Sequence, residues 1–205
     1  MDMSGSRKAG VEGGEQLDVR NMIEEIGQLV EAACKSDSNM FGYGIWSHHI
    51  VHVVKYAKRL AEKLGADEEI VEIAALLHDY AGIRDSSLEE EHHIHGARES
   101  ERILSAYGYP GEKIEKVKHC IMSHRGSMAV ERITPEAECV ASADAMSHIF
   151  QVPSLLYLTY VEKGMSIDEG KAWVLDKLNR SWDKLCPEAK ELVQEDYECV
   201  KKMLE

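Results

Sequence analysis

His78 and Asp79 close the apolar run Ile73–Leu77. An imidazole and a carboxylate at the end of a buried helix are costly to bury without polar partners. A metal ion is the partner that would use both side chains at once. We therefore predict that this pair belongs to a metal site.

Further histidines and a second carboxylate could complete such a site. The chain has ten histidines, and Asp144 lies in the small-residue run Ala141–Ala145, where a helix can approach its neighbours closely. Imidazole and carboxylate ligands without thiolate suit Mn, Fe, Co, Ni, Zn or Mg. The other histidines are His48, His49, His52, His92, His93, His95, His119, His124 and His148.

Taken singly, a histidine on a helix is more often a hydrogen-bonded core or surface residue than a ligand. We adopt that interpretation for His52, His119 and His148. His92 and His93 follow three consecutive glutamates, so we expect them to lie in a solvated, charged loop.

Three segments together resemble the H…HD…D signature of the HD-domain metal-dependent phosphohydrolase superfamily. They are His49–Ala57, Glu72–Asp79 and Thr134–Asp144. The resemblance covers residues 45–150. It implies an all-helical domain in which one divalent metal ion is bound by His49, His78, Asp79 and Asp144. His48 is the alternative to His49, and His52 stands where the family usually has an arginine.

Many members of this superfamily hold a second metal ion through two further histidines. His95 and His124 match those positions, and Asp79 would then bridge the two ions. One-metal nucleotidase-like members use an acidic residue about one turn beyond the His-Asp pair. Here that stretch is Tyr80–Ile83 and the nearest acid is Asp85, which favours two metal ions.

The chemistry implied is metal-assisted hydrolysis of a phosphate monoester, a phosphodiester or a nucleotide. A metal-bound water has its pKa lowered toward about 7, which makes a nucleophile available at neutral pH. Nearby cations would stabilise the developing negative charge. The candidate catalytic residues are Asp79, which would hold both ions, and the cations Lys55, Arg84 and Arg125. The expected partner is a small phosphorylated molecule such as a nucleotide.

Two other functions stay open at this point. Some superfamily members with a di-iron site are oxygenases that cleave a C–C or C–P bond in a small organic substrate, and the ligand set does not separate them from hydrolases. The domain could also be a non-catalytic, metal-binding regulatory module.

The elements that must position these residues are helices. Apolar residues recur with helical spacing along nearly the whole chain, and no alternating run long enough for a strand stands out. We expect a disordered tail over residues 1–16 and one all-α domain over 17–205, with a core at about 45–150 and C-terminal helices at 151–205. The predicted helices cover about 17–35, 46–64, 67–78, 95–107, 112–124 and 135–150, with three more opening at Pro153, Ser166 and Cys186.

Charge and composition limit the kinds of partner and the cellular location that we expect. The formal net charge of −13 argues against a nucleic-acid-binding protein that works by bulk attraction. No stretch is long and apolar enough to span a bilayer. Five scattered cysteines without a CxxC pair are typical of reduced thiols, so we expect a cytoplasmic protein. Both a monomer and a homodimer stay open.

Overall fold

A computed structural model describes residues 18–125 and 130–205, and all regular structure within them is helical. This confirms the all-α prediction. The predicted disordered tail lies outside the described residues. None of the described helices combines the length and the apolar character that a bilayer crossing requires.

The first half of the chain builds the helices around the His-Asp pair. Capping side chains set several boundaries: Asp67, for example, accepts hydrogen bonds from the backbone N–H groups of Glu69 and Ile70 at the start of α3, as an N-cap aspartate should. The elements are α1 (Val19–Cys34), a π-helical turn (Trp46–Ile50), α2 (Val51–Leu64), α3 (Glu68–Leu77), α4 (Tyr80–Arg84), a 3₁₀ turn (Ser86–Glu91) and α5 (His92–Ala106).

The second half begins with α6 and ends with two long helices. Thr134 caps α7 by accepting from the N–H of Ala137, and Ser166 forms a capping box with Glu169 at the start of α9, both as their sequence patterns predict. The elements are α6 (Gly111–Ser123), α7 (Pro135–Phe150), α8 (Val152–Tyr157), a second π-helical turn (Leu158–Glu162), α9 (Ile167–Lys184) and α10 (Pro187–Leu204).

Helix α5 starts three residues earlier than the sequence suggests. The 3₁₀ turn, capped by Asp85 through the N–H of Ser87, runs directly into α5. As a consequence His92 and His93 are buried, with 7% and 2% of their surface exposed. The expectation that these two rings lie in a solvated loop was therefore wrong.

Helix α7 is the centre of the fold. It is buried along most of its length and packs against α2, α3, α6, α9 and α10. Its small residues allow this close approach, and they bring the Asp144 side chain into the interior. The C-terminal helices complete the same core through Val174, Leu178, Ala189 and Val193.

Candidate metal centre

Three histidines of the centre occupy equivalent positions in their helices. His78, His92 and His124 are the C-cap residues of α3, of the 3₁₀ turn and of α6. In each, Nδ1 lies against a backbone carbonyl three residues earlier, in the last turn, where carbonyls lack helical partners. These carbonyls belong to Ala75, Glu89 and Ile121, at 2.8, 2.6 and 2.6 Å. Because a carbonyl can only accept, each ring donates from Nδ1, and in the neutral ring Nε2 carries a lone pair.

His49 also donates from Nδ1 and keeps a lone pair on Nε2, but its partner is a side-chain hydroxyl. It is carried by the π-helical turn, and its Nδ1 lies 2.8 Å from the hydroxyl of Ser147. That hydroxyl donates its own proton to the carbonyl of Asp144, at 2.7 Å. Since Ser147 can then only accept from His49, the Nε2 of His49 also presents a lone pair to the centre.

The carboxylate of Asp79 lies between two pairs of these rings. Its Oδ2 is 3.2 Å from Nε2 of both His49 and His78. Its Oδ1 is 3.3 Å from Nε2 of His92 and 3.6 Å from that of His124. Each oxygen of Asp79 therefore faces its own pair of imidazoles.

Asp144 extends the first pair. Its Oδ1 lies 3.5 Å from Nε2 of His49 and 3.6 Å from Nε2 of His148, and its other oxygen accepts a hydrogen bond from Lys184. Lys184 also donates to the backbone carbonyl of His124, at 2.9 Å. The lysine thus connects Asp144, which lies beside His49, with the backbone of His124 in the other pair of rings.

This donor set fits divalent cations. Imidazole nitrogens with lone pairs and carboxylate oxygens converge at 3.1–3.6 Å, and they would repel one another without positive charge between them. Burial raises the pKa of Asp79, but the facing rings outweigh it and hold it well below its usual range. Asp79 therefore stays ionised, and no thiolate is among the ligands, which suits hard or borderline divalent metals.

In the metal-free protein a proton competes for the same place. Burial lowers the pKa of His92, but Asp79 outweighs burial and raises it to about 9. His124 differs, because burial lowers its pKa to about 4. Burial also lowers the pKa of His78 in the other pair, but Asp79 outweighs burial and raises it, so in the metal-free protein a proton can relieve either pair of rings.

The structure brings together most of the predicted ligands. His49, His78, Asp79, His124 and Asp144 all belong to the clusters that could hold a metal ion. The alternative to His49, His48, points away: its ring is exposed and contacts the hydroxyl of Ser47.

His95 is not brought to the centre. Its Nε2 lies 3.7 Å from a carboxylate oxygen of Glu91, and its side chain is 30% exposed. The residue that the structure places in the second cluster is His92. His95 lies one turn further along α5, about 4.5 Å along its axis. Because α5 starts earlier than predicted, His92 takes the position that was predicted for His95.

The predicted cations lie outside these clusters. Lys55 is exposed, with Nζ 5.9 Å from the centre of the Tyr56 ring. Arg84 is exposed and pairs with Glu99 at 3.1 Å. Arg125 follows His124 directly but donates to the backbone carbonyl of Glu90.

Sequence reasoning missed two kinds of residue. His148, which we interpreted from sequence as an ordinary hydrogen-bonded histidine, belongs to a cluster with His49 and Asp144 that could hold a metal ion. Ser147 was not singled out, although α7 places both residues one turn beyond Asp144, on the face that carries it. Lys184 was missed because it lies 40 residues beyond Asp144, its partner. The available signal was a lysine on the apolar side of an amphipathic helix, next to the buried residues Ser181 and Leu185.

Comparisons with known proteins extend these observations. The model of the HD domain family matches residues 46–149. Ribonuclease Y of Petrotoga mobilis is 36% identical over 99 residues, which is 48% of this chain and 17% of that protein. Ribonuclease Y of Thermoanaerobacter pseudethanolicus is 31% identical over 140 residues, or 68% of this chain and 25% of that protein. The matches thus span a quarter or less of these relatives' length.

Solved structures match over a longer stretch. Bacillus subtilis YpgQ is 25% identical, with a TM-score of 0.68 over 91% of this chain and 93% of that chain. Its complex with ADP gives a TM-score of 0.63 over 89% of this chain and 93% of that chain, again at 25% identity. A predicted HD superfamily hydrolase from an uncultured Thermotogales bacterium, 20% identical, shares the fold with a TM-score of 0.55 over 88% and 92% of the two chains.

Proposed function

We propose that this chain, which belongs to the HD domain family, is a divalent-metal-dependent phosphohydrolase. Its proposed substrate is a small nucleotide. The family supports hydrolysis in general. The reaction on phosphorus and the nucleotide substrate are inferred from the centre and from the similarity to YpgQ.

One observation carries the proposal: the two oxygens of Asp79 face separate pairs of imidazoles. A carboxylate in that position can bridge two cations, one held with His49, His78 and Asp144, the other with His92 and His124. Two-metal sites of this kind are used for in-line displacement at phosphorus.

Divalent ions bound there would supply Lewis acidity toward phosphate oxygens and a water acidic enough to act as nucleophile near neutral pH. The chain's own residues fix the geometry. Backbone carbonyls orient three rings, Ser147 orients His49, and Lys184 holds Asp144. Such preorganisation is what lets a site stabilise developing charge without rearranging during the reaction.

A nucleotide is supported by the solved complex of YpgQ with ADP. That protein is 25% identical and aligns over 89% of this chain, so the alignment extends well beyond residues 46–149. A small phosphorylated ligand also agrees with the acidic character of the chain, since such a ligand needs only a local cationic site.

The test is phosphate release by the purified protein with added Mn²⁺ or Co²⁺. The panel comprises nucleoside mono-, di- and triphosphates, with inorganic phosphate and pyrophosphate both quantified. We expect release from at least one nucleotide and none with Asp79→Asn. A protein that binds metal stoichiometrically and releases neither product from any member would contradict the proposal.

Hydrolysis of RNA is a second candidate, favoured by the 36% identity to Ribonuclease Y over 99 residues. The net charge of −13 weighs against it, because RNA binding depends on neutralising many phosphates. Incubation with end-labelled RNA oligonucleotides distinguishes the two candidates. Cleavage of RNA without release from free nucleotides would replace the first candidate by the second.

A further inference from the structure

Helix α9 places two lysines on one side. Lys177 and Lys184 are seven residues apart, which is close to two full turns, so their side chains leave the helix in nearly the same direction. Between them Ser181 contacts Nδ1 of His148 at 3.1 Å. Because Lys184 contacts Asp144 and Ser181 contacts His148, α9 runs antiparallel to α7 along the metal centre, and Lys177 lies one turn beyond His148.

Lys184 is fully engaged within the protein. Its ammonium donates to Asp144 and to the backbone carbonyl of His124, and only 9% of its side chain is exposed. A ligand could reach this ammonium only by taking it from Asp144. Lys184 is therefore a positioning residue that holds one carboxylate and one end of α6.

Lys177 differs from Lys184 in having no such partner. Within residues 18–125 and 130–205, no carboxylate lies within ion-pair distance of its ammonium, although the side chain is partly buried. Burial lowers its pKa, while Asp144 and Asp79 act in the opposite direction. A half-buried cation without a partner is costly unless an anion joins it.

We infer that Lys177 binds the phosphate group of the substrate that does not react, next to the phosphate held at the metal centre. This inference rests on the proposed function and narrows it to substrates with at least two phosphate groups, such as nucleoside di- and triphosphates. The residue belongs to α9, outside residues 46–149, so the domain core supplies the metal ligands and the C-terminal helices supply this contact.

The experiment measures binding of α,β-methylene-ADP, which resists hydrolysis, and of AMP to the Mn²⁺-loaded protein by isothermal titration calorimetry. Lys177→Met should weaken binding of the diphosphate analogue by about tenfold or more, as expected for loss of one charge-assisted hydrogen bond. Binding of AMP should change much less. Lys177→Arg, which keeps the charge, should restore most of the affinity for the analogue.

The matched control is Lys171→Met on the same helix, where the ammonium contacts the backbone carbonyl of Glu205. It should leave both affinities unchanged. The inference is overturned if Lys177→Met binds the analogue as tightly as the parent, if it loses metal, or if the parent binds the analogue no better than AMP. Failure of the proposed function has a different signature: the analogue binds through Lys177 while no nucleotide is hydrolysed.

Discussion

The Nε2 atoms of His92 and His124 lie 3.1 Å apart, and both rings already use their Nδ1 proton on a backbone carbonyl. A similar relationship joins His49 and His78, whose Nε2 atoms are 3.2 Å apart, although Nδ1 of His49 donates to the hydroxyl of Ser147 instead of a carbonyl. Two neutral imidazoles in this arrangement direct lone pairs at each other. The fold therefore holds in place a geometry that becomes favourable only when positive charge enters between the rings.

Asp79→Ala is expected to abolish metal binding, because two of the three groups of side chains that could hold a metal ion share this carboxylate. Loss of a ligand to two ions should exceed the roughly 10–100-fold loss of affinity known for outer-shell partners. Metal content per chain after gel filtration measures the effect. Asp85→Ala is the control, since that carboxylate only caps the 3₁₀ turn. Unchanged metal content in Asp79→Ala would refute the metal centre.

His92 and His95 should behave differently when each is replaced by alanine. We expect His92→Ala to lose one of two metal ions per chain and His95→Ala to retain both, because only His92 faces Asp79. Elemental analysis of the two variants, prepared side by side, provides the measurement. The opposite pattern would restore His95 as the ligand.

Ser147→Ala should weaken metal binding by about 10–100-fold, the range typical of residues that orient a ligand. It removes the only side chain that fixes Nδ1 of His49 among the described residues. Ser142→Ala is matched to it, because Ser142 is a buried serine of the same helix that bonds the N–H of Cys186. A competition titration with a chromogenic chelator should show weaker binding in the first variant alone.

Removal of metal should lower thermal stability. A ligand present at 100 times its Kd stabilises the native state by about 2.7 kcal/mol, which for a domain of this size corresponds to roughly 5–10 °C in Tm. Differential scanning calorimetry with and without EDTA tests this. Asp79→Ala should show no difference between the two conditions, and a similar shift in that variant would mean that EDTA acts elsewhere.

Stability should also fall as the pH is lowered below the ordinary pKa of histidine, about 6.5. Burial, followed by the neighbouring Lys55, lowers the pKa of His52 in the folded protein, and Nδ1 of this ring is buried without a hydrogen-bond partner among the described residues. The unfolded chain therefore binds this proton more readily, and protonation favours unfolding. In urea titrations with EDTA, His52→Gln should reduce the loss of unfolding free energy between about pH 7 and pH 5. Equal losses in both proteins would contradict this assignment.

The sequence was sufficient for the fold class, and it predicted five of the residues that the structure brings together in the candidate centre. Asp79 and Asp144 could be found because a carboxylate in an apolar or small-residue run stands out locally. His92 could not, because its place depends on the 3₁₀ turn continuing into α5, and three glutamates before it are typical of a solvated loop. Lys184 could not either, since its partner lies 40 residues away and only packing of α9 on α7 brings them together.

The C-cap positions of His78, His92 and His124 also bear on how the centre forms. Each ring is tied to a carbonyl of its own last turn, and this bond fixes the orientation of the ring in the folded protein. The conformational entropy of these side chains is therefore lost on folding and not on metal binding, and a cation binds to rings that are already oriented.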